Sequence, residues 1–405
     1  MRIGVQDYWA KEQPSDYENP TVLEFIDFHA MLEDWNRVAY RPGVMWGQVC
    51  CSHEAQTHFR NHKNDPKSVS SILTRLKQWA LREGKPGQRI RITDLKGYEH
   101  ELQPLSLRVP VKGQKMEVKA EDSFDPIELY AWFLGLTINW RGRGIFLRYY
   151  LTFPVAYPRE VKDKILASFQ RGLQRSLPPS LIEQEVFQDF QVEERASEPT
   201  AYAAVALQYL DIKPPAEGVA YAVFDFGGGT ADFDYGYYRL PTAEEADEEG
   251  KELVLEHYET AGDRFLGGEN LLENMAYQVF EHNRDVCRDK KIAFTRPLDA
   301  DDFPGSEMFL ESTQAATSNT VMLMTALRPL WETGKLPDKL STGVLTLDIL
   351  NRESQKVPCQ LMIDEKALTA YLKNRITQCV KIFLAALKKA FADSQPHDLH
   401  ILLAG

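Results

Sequence analysis

The 405-residue chain has no excess of positive charge, no long apolar run and no cysteine framework. Its 47 basic residues are outnumbered by 59 acidic ones, leaving a net charge of −12. That sign repels phosphate backbones and anionic headgroups, which excludes nucleic-acid or anionic-membrane binding as a main role. No apolar stretch approaches the ~20 residues needed to span a bilayer. The opening Met-Arg-Ile-Gly-Val-Gln-Asp-Tyr-Trp lacks the apolar core of a signal peptide. The five cysteines (Cys50, Cys51, Cys287, Cys359 and Cys379) are odd in number and irregular in spacing, as expected in a reducing, cytoplasmic setting. There is neither an internal repeat nor a long low-complexity tract. What is there is an ordinary globular composition, 43% hydrophobic and 26% charged. The length implies two to four folding units.

The most informative stretch is Tyr221-Ala-Val-Phe-Asp-Phe-Gly-Gly-Gly-Thr-Ala-Asp-Phe-Asp234. An apolar run ends at Phe224, Asp225 follows, then Gly227, Gly228, Gly229 and Thr230, and alternation resumes at Ala231. Two strands joined by a glycine turn is the economical reading. Three glycines exceed what a hairpin needs. Backbone without Cβ atoms takes positive φ and approaches another molecule closely, and successive N–H groups in such a turn make a concavity for phosphate. Asp225 and Asp232 place carboxylates where Mg²⁺ or its bound water can sit. The plainer reading is a tight turn between two core strands.

Along the chain, Val22–Phe28 reads as a strand and 30–38 as a short helix. Residues 65–83 read as one helix, with Asp65 as N-cap, Pro66 at N1 and Val69, Ile72, Leu73, Leu76 and Trp79 at helical spacing. A further helix is expected over 125–136. Residues 144–157 read as a buried strand, because they are rich in β-branched and aromatic residues. A helix over 159–177, a strand over 187–192 and a helix from Glu198 to Tyr209 follow. Lys213-Pro-Pro-Ala-Glu-Gly218 breaks the chain and is the expected hinge. Beyond it come the glycine hairpin, a solvated acidic loop at 242–252 and a third strand at 253–260. Helices are then expected at 270–282, 313–333 and 365–392, strands at 343–350 and 357–363, and a last strand at 400–405. A separate cluster, Cys50, Cys51, His53, His58 and His62, collects zinc-type ligands. Its spacing matches no paired-cysteine pattern, adjacent cysteines point in different directions, and a surface helix with incidental histidines is the competing reading.

Five stretches together carry a resemblance. Phe224-Asp-Phe-Gly-Gly-Gly-Thr-Ala-Asp232 resembles the second phosphate loop of the DnaK-type seventy-kilodalton heat-shock chaperones, Val-Phe-Asp-Leu-Gly-Gly-Gly-Thr-Phe-Asp. Thr152-Phe-Pro-Val-Ala-Tyr157 is similar to their Thr-Val-Pro-Ala-Tyr connection, and Ser197-Glu-Pro-Thr-Ala201 to their Asn-Glu-Pro-Thr-Ala helix start. Thr260-Ala-Gly-Asp-Arg-Phe-Leu-Gly-Gly-Glu269 resembles Ala-Gly-Asp-Thr-His-Leu-Gly-Gly-Glu, and Leu402-Leu-Ala-Gly405 the start of the adenosine loop. The matches are collinear, good over about 144–405 and loose over 20–143.

The resemblance implies an α/β, actin-like ATPase fold of two lobes with ATP or ADP and Mg²⁺ in the cleft. Lobe I would span 1–213, with 20–125 as accessory subdomain and 126–213 as core. Lobe II would span 214–405, with 269–363 as accessory subdomain. Gly227, Gly228, Gly229 and Thr230 would hold phosphates. Asp225, Glu198 and Asp232 would hold Mg²⁺, mainly through water, with Glu198, Asp225, Thr230 and Lys77 as the catalytic set. Gly268, Glu269, Glu332, Lys335 and Gly405 would face the nucleotide, although Glu332 and Lys335 equally suit an exposed charge pair.

The family's catalytic lysine position is Thr74 here, with Lys77 one turn away. The family's first phosphate hairpin and the end of the domain have no counterpart, so the chain reads as incomplete at both ends, with slow or absent hydrolysis. Client proteins or co-chaperones would engage through a missing C-terminal region. A non-catalytic nucleotide-binding or protein-interaction module on the same fold is the alternative.

Overall fold

The structure, a computed structural model, describes residues 11, 13, 19–62, 65–74, 76–81, 90–119, 122–141, 144–215, 217–249, 252–336, 343–394 and 396–405. It is a mixed α/β protein whose strands form several small sheets. No helix among the described residues is long and apolar enough to cross a membrane.

The first half begins with β1 (Leu23–Phe25), α1 (Phe28–Arg37), β2 (Val49–Cys51) and α2 (His53–His62). The stretch expected to be one helix over 65–83 is instead α3 (Pro66–Ser70), β3 (Ile72–Leu73) and α4 (Leu76–Trp79). Asp65 caps α3 as expected, accepting from the Ser68 N–H. Ser70 and Ser71 then end it: their hydroxyls bond to nearby backbone carbonyls, an alternative that competes with the helix. Ile72 and Leu73 pair with β1, so sheet pairing takes the residues whose spacing suggested a helix. The expected stop at Gly84 lies outside the described residues. After the small hairpin β4 (Ile90–Thr93) and β5 (Glu99–Leu102) come α5 (Pro126–Arg141), β6 (Arg148–Phe153), α6 (Arg159–Arg175), α7 (Pro179–Ile182), β7 (Gln191–Ser197) and α8 (Glu198–Tyr209).

The strand expected to be buried, β6, pairs in parallel with β7 alone among the described residues. Only Phe153 along it is buried, and Tyr150 is exposed; its aromatic content reflected β propensity, not burial.

In the second half, β8 (Val219–Phe226), β9 (Ala231–Arg239), α9 (Ala243–Glu249) and β10 (Val254–Asp263) precede α10 (Gly268–His282), α11 (Arg284–Asp289) and α12 (Gln314–Thr333). The antiparallel hairpin β11 (Val344–Leu350) and β12 (Lys356–Met362), the long helix α13 (Glu365–Ala390) and β13 (Leu399–Ala404) complete it. The principal sheet has the order β10-β9-β8-β13, with β13 parallel to β8. The acidic segment at 242–252 is not all loop: α9 lies within it, anchored by the Arg239–Glu245 pair.

Strand alternation decides what each face of this sheet meets. Ala220, Ala222, Ala231, Phe233 and Tyr235 point into a large core with α10, α12 and α13. Val219, Tyr221, Val223 and Tyr238 point the other way, against Ala203 and Leu207 of α8. A period of two therefore sends Asp225, Asp232 and Asp234 toward the α8 side. A separate core of residues 23–192 fills the first half.

Candidate functional site

The glycine turn sits where β8 ends. Its closing bond runs from the Gly227 N–H to the Thr230 carbonyl, 3.0 Å. The turn's carbonyls are held from behind by the start of α10. Gly268 N–H donates to Gly227 O at 3.1 Å, Glu269 N–H to Gly228 O at 2.9 Å, and Asn270 Nδ2 to Gly229 O at 2.7 Å. That approach requires Gly267, where a Cβ would lie 2.4 Å from the Gly229 nitrogen and 2.5 Å from the Gly228 carbonyl. With the carbonyls committed, the N–H groups of Gly228, Gly229 and Thr230 find no acceptor among the described residues. At Gly228 itself a Cβ would meet nothing closer than Glu269 Cγ, 3.8 Å away. Packing within the protein does not demand glycine there.

Register then assembles the acids. Asp225 and Asp232 are direct cross-strand partners and share a face. Asp232 is buried and engaged: Val155 N–H donates to its Oδ1 at 2.6 Å. It ties the hairpin to the segment after Pro154. Asp225 accepts no hydrogen bond among the described residues. Burial raises its carboxyl to about 6, with Glu198 and Asp232 adding repulsion and Lys77 offsetting part of it. Glu198 opens α8, which Ser197 caps through the Thr200 N–H and Pro199 starts. Across from it Lys77, on α4, donates to the Glu198 carboxylate. Thr74 lies between β3 and α4, and its neighbour Arg75 is outside the described residues.

The ligand oxygens of Glu198, Asp225 and Asp232 do not all lie within 4.8 Å of one another. They do not form a direct three-carboxylate cage. Mg²⁺ keeps several waters and uses one or two carboxylates, so a hydrated ion does not require such a cage.

The remaining expected residues fall into three groups. Gly268 stands beside Trp331, whose Nε1 would be 3.2 Å from a Cβ there, and Trp331 stacks on Phe226 at 5.7 Å. Gly405, at φ 124°, lies against the Phe226 carbonyl, 2.1 Å from where a Cβ would be. Both belong to the rim of the turn. Glu269 and Glu332 instead engage Arg328 on α12, with bidentate bonds of 2.8 and 3.0 Å to Glu269 and a 3.8 Å contact to Glu332. Lys335 is exposed past the end of α12.

Sequence reasoning missed Arg328, a lone basic residue on an apolar helix, and Asp234. The latter is fully buried and accepts from Tyr221 Oη at 3.0 Å, Thr200 Oγ1 at 3.3 Å and His257 Nδ1 at 3.1 Å. This network fastens α8 to the sheet, and the Asp234 bond raises the His257 pKa. The period-two series Asp232-Phe-Asp234 was the available signal.

The halves also meet at α3 and α12, where Gln314 Nε2 donates to the Pro66 carbonyl at 3.3 Å. Clefts of 420 and 570 Å³ lie elsewhere, one along α10 and one beside residues 108–119. Of the cysteine–histidine cluster, Cys50 and His58 come together, while Cys51 turns into the main core. No protein-family model matches the chain, and no curated protein matches it.

Proposed function

We propose that the chain is the nucleotide-binding module of an Hsp70-like chaperone on an actin-like fold, taking ATP with Mg²⁺ at the Gly227–Thr230 turn between lobes 1–213 and 214–405. The observation that carries this reading is the convergence of α4, α8, β8 and β9 on one turn whose Gly228, Gly229 and Thr230 N–H groups have no acceptor among the described residues. Phosphoryl transfer asks mainly for positioning and charge stabilisation. In this reading the Gly228, Gly229 and Thr230 N–H groups receive phosphate oxygens, and Asp225 with Glu198 receives the hydrated ion. Bound Mg²⁺ would supply the charge that offsets the phosphates. Asp232 acts as a positioning residue that holds the turn against Val155.

Slow or absent turnover is favoured by a specific contact. Lys77, the cation nearest the lysine position occupied by Thr74, is paired with Glu198, so the carboxylate that would orient water and the cation that would meet phosphate neutralise each other. The test is calorimetric titration of the purified chain with ATP and ADP, with and without Mg²⁺. Mg²⁺-dependent binding that is lost in Thr230→Ala is expected. Binding unchanged in Thr230→Ala, or none at millimolar nucleotide, would reject the site.

A further inference from the structure

A second donor set lies away from the glycine turn, on the outer face of the sheet formed by β2, β1 and β3. Glu24 and Cys50 are direct cross-strand partners on β1 and β2. Both are buried, Glu24 at 2% and Cys50 at 7% exposure. Val22, Ala55, Ile26 and Ile72 pack around them in a small satellite core beneath α2. His58, one turn beyond Ala55 on α2, brings Nδ1 to 2.5 Å from Glu24 Oε2. The carboxylate oxygen, the thiol sulfur and the imidazole nitrogen all lie within 4.8 Å of one another. We propose that Glu24, Cys50 and His58 form a binding site for a thiophilic divalent cation, zinc in the first instance.

Three arguments support the assignment. Oxygen, nitrogen and sulfur from these residue types are the ligands zinc takes, with bonds of about 2.0–2.3 Å. A tetrahedral ion with such bonds spaces its ligands roughly 3.3–3.6 Å apart, inside the observed envelope. The half-exposed His58 side chain has only to draw back from Glu24. Charge balance points the same way: one carboxylate, one thiolate and a neutral imidazole around a dication sum to zero, the least costly state in a low-dielectric pocket. An ion pair between Glu24 and His58 alone would satisfy the carboxylate, but among the described residues it leaves the thiol with only the Trp46 carbonyl at 3.8 Å. On loading, the Cys50 thiol proton, and any proton shared by Glu24 and His58, leaves to solvent while the metal–ligand bonds form. His58 is half-exposed, so solvent can reach a fourth position. It takes water or an external ligand, as in zinc sites with three protein donors.

The site was not legible from spacing. The sequence puts Cys50 and His58 eight residues apart, and Glu24 joins them only through strand register. The experiment is titration of the reduced full chain with Co²⁺ and then Zn²⁺, followed by absorption and by metal content after gel filtration. The site predicts tetrahedral cobalt bands with a sulfur charge-transfer band, displaced by Zn²⁺ but not by Mg²⁺. Cys50→Ser should lose the charge-transfer band. His58→Gln, which keeps a hydrogen-bonding group for Glu24, should weaken binding at least as much as loss of an outer-shell partner does, about 10–100-fold. His62→Gln should change neither. A wild-type chain that shows no charge-transfer band, or a band that persists in Cys50→Ser, overturns the proposal; the wild-type measurement stands even where a variant fails to fold.

Discussion

Asp125 and Asp225 are both carboxyls pushed up to about 6 by burial and by a neighbouring acid, yet they sit in opposite circumstances. Asp125 caps α5, accepting from the Ile127 N–H at 2.8 Å, the Glu128 N–H at 3.2 Å and the Ser168 hydroxyl at 2.5 Å. The adjacent Glu128 pairs with Arg171 and Arg175, and Arg175 stacks on Trp35 at 3.5 Å. Every acid in that cluster has its partner inside the fold. Asp225 has repulsive neighbours and no hydrogen bond among the described residues, and the nearest cation belongs first to Glu198. A shifted pKa therefore does not by itself mark a site. A shifted group without internal partners, beside backbone donors also without them, is the stronger pointer to a ligand.

The comparison breaks most visibly in stability. Glu128→Ala leaves Arg175 charged and enclosed, and should cost about 3–5 kcal/mol in denaturant unfolding. A cost near zero would show that the buried network is not satisfied as described. Next in size is Gly267→Ala, whose Cβ collides with the backbone of the turn and should cost about 1–3 kcal/mol. Gly228→Ala meets only Glu269 Cγ, at an ordinary contact distance of 3.8 Å, so it should leave the unfolding midpoint nearly unchanged while weakening nucleotide binding. Equal stability losses in the two would mean that the turn is only a packed corner.

Protonation sharpens the contrast further. For an acid whose native pKa is raised, the folded state binds more protons between the unfolded value, about 4, and the native value, about 6. Stability therefore falls as pH rises through that window. Asp225→Asn should flatten part of the fall, and Mg²⁺ should flatten the same part in the wild type by holding the ionised carboxylate. The part due to Asp125 should stay in both cases. Smallest is Lys77→Ala: the pair with Glu198 is half-exposed, so a stability change of about 0.2–1 kcal/mol is expected. A larger change would give that contact a structural role.

Local pattern made much of the fold legible. The alternation around Asp225 and Asp232, the Ser197-Glu198-Pro199 helix start and the apolar stripe of residues 365–392 each specify their element within a turn of chain, and each element is present. What escaped depends on pairing between distant segments. Ile72 and Leu73 are equally good on a helix face and on an edge strand, and β1 decides between them. Arg328 looks like a solubilising charge until α10 brings Glu269 to it. Glu24 is unremarked in sequence because its neighbours, Cys50 across the strand and His58 above, arrive through register. At the glycine turn the acids could be named in advance. Which of them is engaged could not, because Val155 reaches Asp232 rather than Asp225 only in the folded chain.

The most direct test of the central claim is thermal unfolding of the wild type, Asp225→Asn and Asp125→Asn at pH 7.5, each with and without saturating Mg²⁺·ATP. A ligand at about 100 times its dissociation constant stabilises by about 2.7 kcal/mol. The corresponding rise in Tm should appear in the wild type and in the folded Asp125→Asn protein, and should vanish in Asp225→Asn. An equal rise in Asp225→Asn, or its loss only in Asp125→Asn, would contradict the assignment of the unpartnered carboxylate to the ligand.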